Sequence, residues 1–178
     1  MTDETVLRVA DLPQNRATTF TLRPDSARLG ELARELGIDG VRKLSFGGEL
    51  RAEGKSDWRL TAILGATVVQ PCVVTLEPVT TRIDTEVRRL FVKDWAEPDE
   101  EEAEMPENDE AEPLGPVIDL NAVMTEALAL ALPAYPRKEG VELGEAVFAE
   151  PGKTAMTDED TRPFAGLAAL RDKLKKDQ

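Results

Sequence analysis

The sequence predicts an α+β domain: an antiparallel β-meander, with partial closure as one form of it, covered by two helices. Apolar and polar residues alternate along most of residues 5–93, the period of strands with one buried face. Two stretches depart from that period into helical spacing, at 25–36 and 119–132. Hydrophobic residues make up 41% of the 178, yet aromatics only 4%. A modest aliphatic core of that kind fits one domain with appendages.

The first strands are expected at 5–10 (TVLRVA) and 17–22 (ATTFTL), with DLPQNR as the turn between them. Asp25 or Ser26 then caps a helix to Leu36. Its Leu29, Leu32, Ala33 and Leu36 form one apolar stripe, and Gly37 takes the left-handed position after it. From Val41 the period returns to two. Leu44 and Phe46 precede Gly47-Gly48, where a bulge is expected, and Leu50 and Ala52 follow. Gly54-Lys55 marks a turn.

The stretch from Leu60 to Val92 holds the densest β-branched run and the single cysteine. Pro71 ends its first strand, since proline cannot donate to a ladder. Residues 72–78 (CVVTLEP) read as a short apolar strand segment closed by Pro78, and alternation resumes from Ile83 to Phe91.

At Lys93 the composition changes. From Asp94 to Glu112 there are 11 acidic residues and no basic one, and prolines stand at 98, 106, 113 and 116. Residues 94–116 are expected to be a flexible acidic linker, since such a composition cannot bury enough apolar surface to order itself. It has two readings: an arm for a basic partner, or a solubilising spacer. Asp119 caps the next helix, which is apolar over much of its circumference and ends at Leu132 before Pro133 and Pro136. A domain over 1–137 is thus expected, with a loose tail over 138–178. In that tail Pro163 starts a short helix to 176, with Phe164 on its apolar stripe. A helix of that length is marginal alone, so it docks on its own domain or meets a partner.

Net charge is −13, but without residues 94–112 the balance is 24 acids against 22 bases. An acidic protein repels nucleic acid unless a local basic face is displayed. Bases between Ile38 and Lys93, among them Arg82, Arg88 and Arg89, offer such a patch or else form an ordinary mixed sheet surface. There is no histidine, which excludes histidine-based triads, general bases and metal ligands. The N-terminus has neither the basic start nor the apolar run of a signal peptide, and no stretch reaches the length of a membrane span. The expected setting is the cytoplasm.

No catalytic constellation or cofactor motif stands in the chain: no phosphate loop, no GxSxG, no HExxH and no CxxC. Cys72 has three functional readings, as nucleophile, redox sensor or ligand. No basic side chain is nearer to it in sequence than Arg82, so nothing in the sequence lowers its pKa. A lone cysteine in an apolar run is ordinarily a small buried hydrophobe.

Three blocks, VVQPCVVTLEPV, VIDLNAVMTEALALALPAYP and RPFAGLAAL, resemble in content, order and acidic spacing the YceD family, also called the DUF177 family. Their family-motif positions here are Cys72, Thr75, Leu76, Glu77, Pro78, Asp119, Leu132, Pro133, Pro136, Pro163 and Phe164. The resemblance implies a non-enzymatic role in 23S ribosomal RNA accumulation and large-subunit biogenesis. It implies as partners a basic large-subunit ribosomal protein, with ribosomal protein L32 a candidate, and 23S rRNA. The residues offered for contact are Glu100, Glu101 and Glu102 in the acidic segment, and Arg82, Arg88 and Arg89 on the sheet. The competing expectation is a general cytoplasmic adaptor that uses the acidic arm and the C-terminal helix. Many family members carry a Cys-x-x-Cys pair in the first block and further Cys or His after the helix, which suggests a metal site. Here the second cysteine position is Thr75, and residues 137–143 have neither Cys nor His. A zinc site needs about four N or S ligands, so the sequence predicts that this chain has lost it.

Overall fold

Residues 5–95 and 110–141 are described by the structure, a computed structural model. The chain divides after Glu139, and the fold described is that of the first unit. Its elements are β1 (Val6–Arg8), a 3₁₀ turn (Val9–Asp11), β2 (Thr18–Leu22), α1 (Ser26–Glu35), β3 (Gly40–Glu53), β4 (Asp57–Pro71), β5 (Pro78–Val92), β6 (Ala111–Pro113), β7 (Val117–Asp119) and α2 (Leu120–Ala131). The α+β class holds, with a mixed sheet in place of a closed barrel. Five strands run in the order β2-β3-β4-β5-β6, antiparallel except for the last pair, and β1 pairs with β7 in a sheet of two.

Alternation builds the core. Along β4 the even-numbered residues Trp58, Leu60, Ala62, Leu64, Ala66 and Val68 are buried, and they face α2 together with Ile83, Val87 and Phe91 of β5. Phe20 and Phe46 meet at 5.4 Å in a tilted ring contact. Against this face α1 packs on β3, and α2 packs on β4, β5 and β1. Asp25 caps α1 by accepting from the Arg28 N–H at 2.9 Å, and Gly37 takes the left-handed conformation that ends it. Asp119 caps α2, accepting from the Asn121 and Ala122 N–H groups. The other face of the sheet carries no helix among the described residues.

The structure departs from the sequence reading in four places. β1 leaves the meander, because Leu7 and Ile118 stand opposite each other and bury together, while Val9 to Asp11 coil into a 3₁₀ turn. The bulge lies between Arg42 and Ser45, with Lys43 at φ 51°, and not at Gly47-Gly48, which stay in register with Ile63 and Ala62. Residues 72–77 form a loop and not a strand segment. Pro71 and Pro78 end the ladder as a facing pair, and Val73 and Leu76 are exposed. The expected linker over 94–116 ends early: Ala111–Pro113 joins the sheet parallel to Leu90–Val92. The Leu90 N–H donates to the Glu110 carbonyl and the Leu114 N–H to the Val92 carbonyl, both at 2.8 Å. The rest of that linker, 96–109, lies outside the described residues, as do the tail from 142 and its expected helix at 163–176.

Candidate interaction surface

Even-numbered residues of β5 point away from the helices, and there the arginines are already engaged. Arg82 donates through Nε to Asp84 Oδ2 at 2.8 Å, and Arg88 donates through Nη2 to Glu86 Oε2 at 2.9 Å. On the same face Arg51 pairs with Glu49 at 2.6 Å, and Arg59 pairs with Glu53. The Arg82–Asp84 pair lies across Gly65 of β4, where a Cβ would come within 2.6 Å of the guanidinium. The carboxyls of Glu49, Glu53 and Asp84 are held below the usual range, chiefly by these hydrogen bonds. Arg89 does not share this face. As an odd-numbered residue it turns toward α2 and donates to Glu126 Oε1 at 2.9 Å, with its side chain only 17% exposed. The expected basic patch of Arg82, Arg88 and Arg89 is therefore split over two faces and neutralised. A signal for this stands in the sequence: Glu49-x-Arg51, Arg82-x-Asp84 and Glu86-x-Arg88 place opposite charges two apart, on one side of a strand. Glu100, Glu101 and Glu102 lie outside the described residues.

Most of the family-motif positions gather in one corner, where the β4–β5 loop meets the exit of α2. The Cys72 N–H donates to the Glu77 carbonyl at 2.8 Å, and the Leu76 N–H to the Cys72 carbonyl at 2.9 Å. Leu76 holds a left-handed φ of 61° while 78% exposed. Three bonds tie the corner to the segment after α2. The Val73 N–H donates to the Pro136 carbonyl at 2.9 Å, Gln70 Nε2 donates to the Pro133 carbonyl at 3.2 Å, and Lys138 pairs with Glu77 at 2.7 Å. Leu132 packs against the core, and Asp119 serves at the opposite end of α2 as its cap. Pro163 and Phe164 lie outside the described residues.

Cys72 is fully buried. Its thiol pKa is nevertheless lowered to about 6, first by the Thr75 hydroxyl and then by the backbone N–H groups of Lys138, Thr75 and Val74. The sequence gives no sign of this, because the donors come from a loop conformation and from a segment some sixty positions away. This donor set does not fit a zinc ion. Thr75 supplies a hydroxyl where the resemblance implies a thiol, and among the described residues no three His, Cys, Asp or Glu side chains converge.

Fold and surface together define an α+β protein whose helices, among the described residues, cover one face of the sheet and whose other face carries paired charges. The chain belongs to the YceD family: the family model described as large ribosomal RNA subunit accumulation protein YceD matches residues 60–171. That span begins inside β4 and takes in the Cys72 corner and α2. No curated protein and no solved structure matches the chain. No helix among the described residues is long and apolar enough to cross a membrane.

Proposed function

We propose that this chain acts in large-subunit ribosomal RNA accumulation as a non-catalytic binding factor in the cytoplasm. Its direct partner is a basic ribosomal protein, which it engages through the acidic segment 94–112. The observation that carries this reading is the contrast between the charges of sheet and segment. The guanidiniums of Arg51, Arg59, Arg82, Arg88 and Arg89 each hold a carboxylate, so phosphate would have to displace those partners before it gained a contact. The segment has 11 acids and no base of its own, and of its acids Glu110 pairs with Arg59 at 3.7 Å; the composition suits a lysine- and arginine-rich surface. The family's role in ribosomal RNA accumulation is then served through a protein that binds the RNA.

Gradient sedimentation of cell lysate tests this. The chain is expected to migrate with large-subunit precursors, and to lose that position when the acids of 94–112 are replaced by amides. Crosslinking should recover a basic large-subunit protein, with ribosomal protein L32 a candidate, ahead of RNA. A chain found only at the top of the gradient, in cells whose 23S RNA stays normal after deletion, overturns the reading.

A further inference from the structure

Among the described strands β6 alone puts no side chain into the core. β1 and β7 are also three residues long, yet each buries one residue there, Leu7 and Ile118. In β6, Ala111 and Glu112 are half-buried and Pro113 is exposed. Its pairing with β5 is the one parallel pairing in the described sheet, the less stable kind per residue. Its two ends differ. Beyond it, Leu114 packs against the core and donates its N–H to the Val92 carbonyl, and the Pro116 carbonyl accepts from the Val9 N–H at 3.1 Å. Before it, the Glu110 carbonyl accepts from the Leu90 N–H, and no core side chain secures that end.

The charges on β6 are held weakly too. Arg59 Nη1 lies 3.7 Å from Glu110 Oε2, but the same guanidinium donates to Glu53 through Nε and Nη2. Arg89 of β5 is the cation that acts on Glu112, yet it donates to Glu126 of α2 at 2.9 Å. Glu112 itself has no ion pair within 4 Å among the described residues. Burial raises its carboxyl pKa, Arg89 lowers it, and the like charge of Glu126 raises it again. A carboxyl whose pKa is raised by docking disfavours the docked strand once it is ionised.

We propose that β6 is a releasable strap, which pivots at Leu114 and leaves β5 when a lysine- or arginine-rich chain competes for the carboxylates of Glu110 and Glu112. While β6 is docked, Glu110 shares Arg59 with Glu53, and Glu112 is half out of water with no cation in contact. Release returns both to solvent and adds them to the acidic run that ends there. Capture of a basic chain is thereby coupled to uncovering Leu90 to Val92 at the end of β5. The inference rests on the acidic-segment reading for the chemistry of the partner, and on the geometry of β6 for the strap.

Amide exchange of the full chain, followed by NMR at pH 7, tests the strap. The Leu90 amide should exchange at least 100-fold faster than the amides of the β3–β4 ladder. Glu112→Leu should slow it at least fivefold, Glu112→Gln should act in the same direction, and Arg59→Gln should speed it at least threefold. Circular dichroism checks the fold of each variant; if one fails to fold, the Leu90 rate of the parent decides. A saturating 12-residue lysine peptide, its binding read by anisotropy, should speed Leu90 exchange at least fivefold and leave the ladder unchanged. A Leu90 amide as protected as the ladder, or unmoved by both Glu112 variants, overturns the strap. A peptide that binds but leaves Leu90 exchange unchanged or slower overturns the release, and the acidic-segment reading stands. A peptide that does not bind sinks that reading, and the Leu90 rates of the parent and the Glu112 variants then decide the strap alone.

Discussion

Gly48 in the middle of β3 is the position where a single methyl group should cost the fold most clearly. A Cβ built there would lie 2.1 Å from the Thr61 carbonyl oxygen, 2.5 Å from Ala62 Cα and 2.7 Å from Ala62 Cβ. Ordinary non-bonded carbon contacts are about 3.5–4.0 Å, so β3 and β4 must part locally by more than about 1 Å. Two of the three obstructing atoms are backbone, and no rotamer change relieves them. Overpacking of this kind costs about 1–3 kcal/mol, and a strained ladder bond adds about 1 kcal/mol. Gly48→Ala should therefore destabilise by about 2–4 kcal/mol and lower Tm by roughly 6–20 °C for a unit of this size. Calorimetry or thermal circular dichroism reads it directly. Gly47→Ala is the internal control: its Cβ would meet Thr21 Oγ1 at 3.4 Å and the Phe20 carbonyl at 3.5 Å, ordinary contacts. Adding Ala62→Gly to Gly48→Ala should restore less than half the loss, since it removes only one obstruction. If Gly48→Ala melts within about 1 °C of the parent, or no lower than Gly47→Ala, the close-approach argument is wrong.

Removing the Asp119 carboxylate takes away the acceptor for the Asn121 and Ala122 N–H groups; Asp119→Ala should cost about 1 kcal/mol in urea unfolding, with Asp119→Asn recovering most of it, and an unchanged midpoint would refute the capping role. Cys72 titrates at about 6 when folded and near 8.5 when unfolded. A lowered folded pKa adds stability at high pH and loses it as pH falls through about 6, so the stability gap between the parent and Cys72→Ala should widen from pH 5.5 to pH 8.5. An equal gap at the two pH values would show that the donors around the sulfur do not hold the thiolate.

Elements governed by local rules were legible in the sequence. The stripe from Leu29 to Leu36 with its Asp25 cap and Gly37 stop, the Asp119 cap and the alternation of β4 all follow from residues within a few positions of one another. What escaped depends on partners distant in sequence. Residues 5–10 and 17–22 read as neighbouring strands, yet β1 has its partner more than a hundred positions away, at Val117–Asp119. Gly47-Gly48 read as a bulge because glycine marks bulges and close approaches alike, and only the opposite strand distinguishes them. The CVVTLEP segment looked like a strand because Val73, Val74 and Leu76 are apolar, but its backbone bonds run to Glu77 and to Pro136 across the corner. In the candidate surface, Arg82, Arg88 and Arg89 were placed together by proximity in sequence, and the parity of their positions separates them.

The Cys72 corner shows how this loop is fastened without a pair of cysteines. Where the family resemblance implies metal ligands, this chain has a buried sulfur surrounded by a hydroxyl and three backbone N–H donors. Those donors come from both sides of the corner, Val74 and Thr75 from the loop and Lys138 from beyond α2. The Glu77–Lys138 pair and the Val73 to Pro136 bond span the same gap. The corner therefore still fastens the β4–β5 hairpin to the exit of α2. That fastening ties together the two elements that line a groove between Thr85–Arg89 of β5 and Ala127, Leu130 and Ala131 of α2. At this corner the family-motif residues act on the fold, by fixing the exit of α2 against the start of β5.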